Sequence, residues 1–185
     1  MKILLAFCFL LLNHYSHAQT WEKLLPADSV THKICYQGVV QVPGATQAEL
    51  YSRAREWFAS SFGSAKAVLE MDDASVGKLI GNANSRYYEH YLGNQLDMVL
   101  WRRINVQVKD GRFKYVISDF AVGVSPKAQA ACYPMESFLS PHYFNKQGEP
   151  NKVAMQKIEG VKQSGESQVA SLCGAMVKTP TKSDW

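Results

Sequence analysis

The segment from Leu100 to Val122 reads LWRRINVQVKDGRFKYVISDFAV and has the clearest structural pattern in the chain. In its first half, apolar residues alternate with polar ones at Ile104, Val106 and Val108. After Asp110-Gly111, which is typical of a tight turn, the alternation resumes with Phe113, Tyr115 and Ile117. A period of two is the pattern of a strand with one buried face. The sequence therefore predicts a β-hairpin whose register is set by the Asp-Gly turn.

A strand and a helix are predicted upstream of this hairpin. From residue 33 to residue 42 the apolar side chains fall on even positions: Ile34, Tyr36, Val40 and Val42. Thr46-Gln47-Ala48-Glu49 is a capping box, in which the threonine hydroxyl and the glutamate side chain bond each other's backbone amides. A broad apolar helical face follows, which Gly63 should end: Leu50, Ala54, Trp57, Phe58 and Phe62.

The remaining segments complete the predicted element order. Residues 65–71 and a run from Lys78 towards Leu92 favour two more strands, with a turn between them marked by Asp72-Asp73 and Gly77. Residues 123–150 favour an ordered loop, because Pro126, Pro134, Pro141 and Pro150 interrupt an aromatic-rich segment. Residues 151–178 predict a C-terminal helix packed on the same domain, and residues 179–185 a frayed tail. Glycines at 160, 165 and 174 weaken that helix by up to about 1 kcal/mol each.

This order predicts an α+β fold with a curved antiparallel sheet of about five strands, in the order β-α-β-β-β-β-α, and helices on one face. Residues 36–42, 49–58 and 109–115 resemble a family of secreted bacterial domains of unknown function with a fold like that of the TATA-box-binding protein (TBP). The resemblance covers about residues 34–122 and implies a TBP-like domain over 19–122. It also implies residence in a Gram-negative envelope. It supplies no activity and no site residues, and a fold name does not imply DNA binding.

The first eighteen residues have the pattern of a secretory signal peptide. Lys2 precedes an apolar run from Ile3 to Leu12, and Ser16-His17-Ala18 forms a small-residue end. We expect cleavage after Ala18 and a periplasmic or extracellular protein. The run of about ten apolar residues is too short for a bilayer span of roughly twenty, so no transmembrane segment is expected after cleavage. The 167 residues that remain suit one domain, and their net charge of +3 is too small to indicate nucleic-acid binding.

Three cysteines follow the predicted signal peptide: Cys35, Cys132 and Cys173. An oxidising compartment permits one disulfide among them and three possible pairings. Pairing of Cys132 with Cys173 would tie the C-terminal segment down. The alternative is that all three are small buried thiols.

No catalytic, cofactor-binding or metal-binding residue can be assigned. The histidines at 32, 90 and 142 lack metal-site spacing, and the chain has no G-x-S-x-G turn. Cys35 as a nucleophile is conceivable, but its place within a strand favours packing. Asp72-Asp73 and Asp110-Gly111 are interpreted as turns rather than calcium ligands. Residues 77–81, Gly-Lys-Leu-Ile-Gly, are interpreted as a bent or bulged strand rather than a phosphate loop.

One local charge bias stands out, and three tyrosines precede it at 87, 88 and 91. Its cations are Arg102, Arg103, Lys109, Arg112 and Lys114. The group is either a solvated sheet face or a shallow surface for an anionic glycan, a lipid head group or a partner protein.

The sequence favours a non-enzymatic exported binding or interaction domain. A small envelope hydrolase with a site assembled from distant residues is the alternative, and a pocket with His90 or His142 beside a carboxylate would favour it. A third possibility is a structural accessory of an envelope assembly, which a large exposed apolar patch would indicate.

Overall fold

The architecture is an open antiparallel sheet with helices packed on one face. The structure is a computed structural model that describes residues 20–62, 65–124 and 132–178. The strands are β1 (Tyr36–Gln41), β2 (Leu69–Asp73), β3 (Lys78–Tyr91), β4 (Asn94–Lys109), β5 (Arg112–Gly123) and β6 (Tyr133–Pro134). Their spatial order is β1-β5-β4-β3-β2, and β6 pairs with the far end of β5. The predicted α+β class is confirmed, with β6 as an additional short strand.

The β4–β5 hairpin forms where the sequence places it. Lys109 pairs with Arg112 across a turn in which Gly111 has a φ of 72°. Further along, the register shifts, because β5 carries one extra residue opposite the stretch from Trp101 to Arg103. Asp119 has a positive φ of 54° within this bulge. The bulge reverses the alternation, so Phe120 and Val122 face the core although they lie on even positions.

Among the described residues, three α-helices accompany the sheet: α1 (Gln47–Phe62), α2 (Ala65–Val68) and α3 (Lys152–Val177). The predicted capping box is formed, since the Glu49 amide donates to the Thr46 Oγ1 at 3.2 Å and the Thr46 amide donates to the Glu49 Oε2 at 2.8 Å. The α1 face is buried at Leu50, Ala54, Trp57 and Phe58.

The prediction of a strand beginning at Ala65 was wrong. Residues 65–68 are helical, and β2 starts at Leu69. Alanine and lysine, which open this segment, are depleted in strands and favour helices. The sequence predicts a bend or bulge near Gly81 of β3. The structure has the bulge on the neighbouring strand β2, where the β2–β3 register shifts between Leu69 and Met71.

The long helix α3 lies against the sheet through two of its glycines. A β-carbon added at Gly160 would lie 3.0 Å from the Tyr87 ring, and one at Gly165 would collide with the Tyr36 ring. The glycines that weaken this helix in isolation therefore permit two tyrosine rings to pack against its backbone. Asn151 caps the helix by accepting the Ala154 amide at 3.0 Å.

The described part of the proline-rich segment consists of short elements. After β6 come 3-10 helices at Met135–Phe138 and Pro141–Tyr143, and Met135 and Leu139 are buried. The predicted signal peptide, the tail and residues 125–131 lie outside the described residues. Within residues 20–62, 65–124 and 132–178, no helix has an apolar stretch of the length that a bilayer crossing requires.

The Cys132–Cys173 disulfide is not formed, because Cys173 is a free thiol. Cys132 lies against Gly123 at the end of β5, whereas Cys173 lies near Tyr115 at its beginning. Those two positions are about 26 Å apart at the rise of a strand, far beyond the reach of a disulfide.

Candidate functional site

A cleft of about 620 Å³ opens between α3 and the outer half of the β3–β4 hairpin. Along α3, its residues recur at helical spacing and form one stripe facing the sheet. Gly160 lies in this stripe, and the Tyr87 ring packs against it where a side chain would otherwise lie. The lining residues are Ser85, Arg86, Tyr87, Tyr88, His90, Leu100, Arg102, Gln156, Glu159, Gly160, Gln163, Ser164 and Ser167.

Arg102 is the buried cation of this cleft, with 5% of its surface exposed. Its Nη1 donates to the Ser85 Oγ at 2.9 Å and lies 3.5 Å from the Leu100 carbonyl oxygen, and its Nη2 donates to the Gln168 Oε1 at 2.6 Å. Its Nε has no hydrogen-bond partner, and no carboxylate of the described residues lies within 4.0 Å of the guanidinium. Burial lowers the pKa of Arg102 to about 10, so the group is charged at neutral pH.

A second buried cation, Lys157, lies nearby on α3 and has a different environment. Its Nζ is 2.6 Å from the Glu89 Oε1 and 4.4 Å from the centre of the Phe138 ring. Tyr87 donates its hydroxyl to the same carboxylate. Burial, together with this hydrogen bond, raises the pKa of Tyr87. This charge is therefore compensated within the protein.

The rim of the cleft carries exposed and neutral polar groups. Arg86, Tyr88, His90 and Glu159 are exposed there. The Ser85 and Ser164 hydroxyl oxygens are 3.5 Å apart across the cleft. His90 is fixed through its backbone, since its amide donates to the Gln156 Oε1 at 2.9 Å. His90 and Glu159 line the same cleft, but in the described chain no hydrogen bond joins their side chains.

The predicted basic group is split between two faces of the sheet. Arg103 pairs with Glu70 at 2.9 Å, while Lys109, Arg112 and Lys114 surround a depression of about 210 Å³ at the turn of the hairpin. Arg102, by contrast, points into the helix-covered side. Its inclusion in a solvated face was wrong, because β4 alternates regularly against β3 and residue 102 shares the buried face with Ile104.

The tyrosines are divided in the same way. Tyr87 packs under Gly160, whereas Tyr88 is 57% exposed at the rim. The signal for Arg102 was present in the sequence, since an arginine occupies the apolar register of Leu100, Ile104 and Val106. No local pattern indicates Ser85 or Gln168, which reach Arg102 from distant parts of the chain.

The other candidates lie apart from the cleft. The His32 Nδ1 lies 3.3 Å from the Glu22 Oε1. The His142 Nδ1 lies 2.7 Å from the Ser140 Oγ, and its ring packs against the ring of Tyr143. Cys35 is buried and its burial raises the pKa of the thiol, which is unfavourable for a nucleophile. Asp73 accepts the Ser75 amide in the turn after β2, at 2.9 Å. Across the described ranges, no cluster of three or more histidine, cysteine or acidic side chains could hold a metal ion.

Comparison with known proteins gives a family match over the part of the chain that forms the sheet and its first helix. The family model described as "Domain of unknown function (DUF4468) with TBP-like fold" matches residues 36–122. Residues 36–122 are similar to the DUF4468 family. The match includes Arg102 and Ser85 but ends before α3, so the helix that closes the cleft lies outside the matched residues. No curated protein matches the chain.

Solved structures extend the similarity beyond residues 36–122. A DUF4468 family protein from Bacteroides ovatus aligns with a TM-score of 0.67 at 14% identity, covering 88% of this chain and 98% of that one. A TBP-like protein from Parabacteroides distasonis aligns with a TM-score of 0.58 at 16% identity, covering 81% and 96%. At these identities the similarity establishes a common fold.

Proposed function

We propose that this protein is an exported, non-enzymatic binding domain whose cleft takes a small organic anion. The observation that carries the proposal is Arg102, a buried cation without a carboxylate partner at the wall of a cleft. Arginine is almost never fully buried unless it is paired, because removing a charge from water costs several kcal/mol. An incoming anion would supply the missing counter-charge.

The groups around Arg102 favour a ligand over an internal partner. Its buried Nε–H has no partner. The Ser85 hydroxyl accepts from Arg102 and can donate its own proton when Ser164 is the donor of the 3.5 Å contact between the two hydroxyls. Two donors beside one positive charge suit the oxygens of an anion. Arg86 at the rim adds a second positive charge on the path of entry.

Export is proposed from the signal-peptide pattern of residues 1–18. An intact mass measured on protein recovered from the cell envelope tests it. A first residue at Gln19 would support export with cleavage, and an uncleaved chain in the cytoplasm would contradict it.

The hydrolase alternative is favoured by one observation, the presence of His90 and Glu159 in the same cleft. The nearby Ser85 hydroxyl accepts from Arg102 rather than donating to a histidine, so it lacks the activation that a serine nucleophile needs. Hydrolysis of ester substrates that disappears in His90→Gln and persists in His142→Gln would support the enzyme.

Anion-dependent stability tests the binding proposal. Acetate and sulfate, added at constant ionic strength, should each raise the melting temperature of the wild type. At ten times Kd the stabilisation is about 1.4 kcal/mol. Arg102→Met should lose this response, whereas Arg103→Met, which alters an arginine of the opposite face, should keep it. Equal responses in the two variants would overturn the proposal.

A further inference from the structure

We infer that the anion taken by the cleft is the carboxylate of a sugar acid. The inference rests on the proposed function and adds the chemical class of the ligand. Its first support is the charge count, because Arg102 is the one buried cation without a carboxylate partner among the described lining residues. A carboxylate carries one negative charge. A phosphate monoester carries about −1.5 to −2 at neutral pH, and among the described lining residues only the exposed Arg86 at the rim could offset its second charge.

The second support is the neutral polar wall that α3 presents. Gln163, Ser164 and Ser167 face the cleft from one side of the helix. Gln163 has no hydrogen-bond partner among the described residues, so its amide is available both to donate and to accept. Hydroxyl and amide groups pair equally well with the hydroxyls of a sugar, which also donate and accept. A simple fatty acid would leave the Gln163 amide without a protein or ligand partner.

The third support is the size of the cleft. Its volume of about 620 Å³ lies within the range of roughly 300–1,000 Å³ that small organic ligands occupy.

Calorimetric titration of the full chain with four kinds of probe tests the inference. Glucuronate and galacturonate are sugar acids, acetate carries only the charge, glucose carries only the hydroxyls, and glucose 6-phosphate carries a different anion. We expect at least one sugar acid to bind about tenfold tighter than acetate and glucose. That ratio corresponds to one or two additional hydrogen bonds.

Variants separate the two parts of the ligand. Gln163→Ala should weaken sugar-acid binding about fivefold and leave acetate binding unchanged, because the amide contacts only the hydroxyls. Gln147→Ala is the matched control, an exposed glutamine outside the lining of the cleft. Arg102→Met should abolish binding of both kinds of anion.

The outcomes distinguish this inference from the proposed function. Equal affinity for acetate and both sugar acids would overturn the sugar-acid inference and leave anion binding standing. Tighter binding of glucose 6-phosphate would also overturn it, in favour of a phosphorylated ligand. If no anion binds, both the inference and the proposed function are wrong.

Discussion

The two buried cations near α3 have nearly the same exposure and opposite surroundings. Lys157 is 4% exposed and has the Glu89 carboxylate at 2.6 Å. Arg102 is 5% exposed and has only the neutral oxygens of Ser85, Gln168 and Leu100. Burial of a charge therefore does not by itself identify a binding site. The decisive feature is whether the protein provides the counter-charge.

The two cations also differ in whether they border the cleft. Lys157 lies under the Phe138 ring, and the Tyr87 hydroxyl donates to the carboxylate that pairs with it. Arg102 borders the open cleft. One region therefore has the properties of a structural ion pair, and the other has those of a site completed by a ligand.

The largest effect should come from removing the counter-charge of Lys157. Glu89→Gln leaves a buried ammonium without its carboxylate, which costs about 3–5 kcal/mol of unfolding free energy. Urea unfolding measures this value. The double variant Glu89→Gln with Lys157→Met is the control, since it removes both charges and should recover most of the loss. A loss below about 1 kcal/mol in the single variant would remove the contrast between the two cations.

A smaller effect on stability should appear at alkaline pH, and it should come from Tyr87, which donates to the Glu89 carboxylate. The pKa of Tyr87 is raised, mainly by burial, whereas a tyrosine in the unfolded chain ionises near 10. Above that pH the unfolded state loses its proton and the folded state keeps it, so folded stability falls as the pH rises. The loss is about 1.4 kcal/mol between pH 9 and pH 11.

Tyr87→Phe isolates this contribution, because it lacks the ionisable hydroxyl. Unfolding curves of the wild type and of Tyr87→Phe, recorded at pH 9 and at pH 11, give the stability difference between the two proteins at each pH. From pH 9 to pH 11 this difference should shift by about 1.4 kcal/mol in favour of Tyr87→Phe. A difference that stays constant with pH would show that the Tyr87 hydroxyl is not desolvated.

The smallest effect should come from Arg102 in the absence of ligand. Arg102→Met removes an uncompensated buried charge but also three hydrogen bonds from a charged donor. The balance is a gain of about 1 kcal/mol in unfolding free energy. Arg103→Met, which breaks an exposed pair with Glu70, should change stability by less than about 0.5 kcal/mol. A marked loss of stability in Arg102→Met would mean that this arginine is structural, as Lys157 is.

Periodicity and local signals were sufficient for most of the fold. The capping box at Thr46, the Asp-Gly turn at 110–111 and the alternation of β4 each act over a few residues, so the sequence displays them directly. The β5 bulge was missed, although the apolar positions change from odd to even between Ile117 and Phe120. A phase change of this kind is the sequence signature of an inserted residue.

The candidate site was harder to predict, because its contacts join distant segments. Arg102 could have been separated from Arg103 by the parity of the strand alone. Its partners could not have been predicted, since Ser85 and Gln168 approach Arg102 only through strand pairing and the packing of α3. The glycines of α3 were interpreted as weak points of a helix, and their role in admitting the Tyr36 and Tyr87 rings depends on the three-dimensional arrangement.

The position of α3 at the end of the described chain has a consequence for biosynthesis. Both strands that carry the inner wall of the cleft are translated before the helix that supplies Gln168 and the opposite wall. At typical elongation rates, on the order of 10 s separates the synthesis of Arg102 from that of the last turn of α3. A nascent chain halted before Asn151 would carry the whole β1–β5 sheet but not the helix that forms the opposite wall of the cleft.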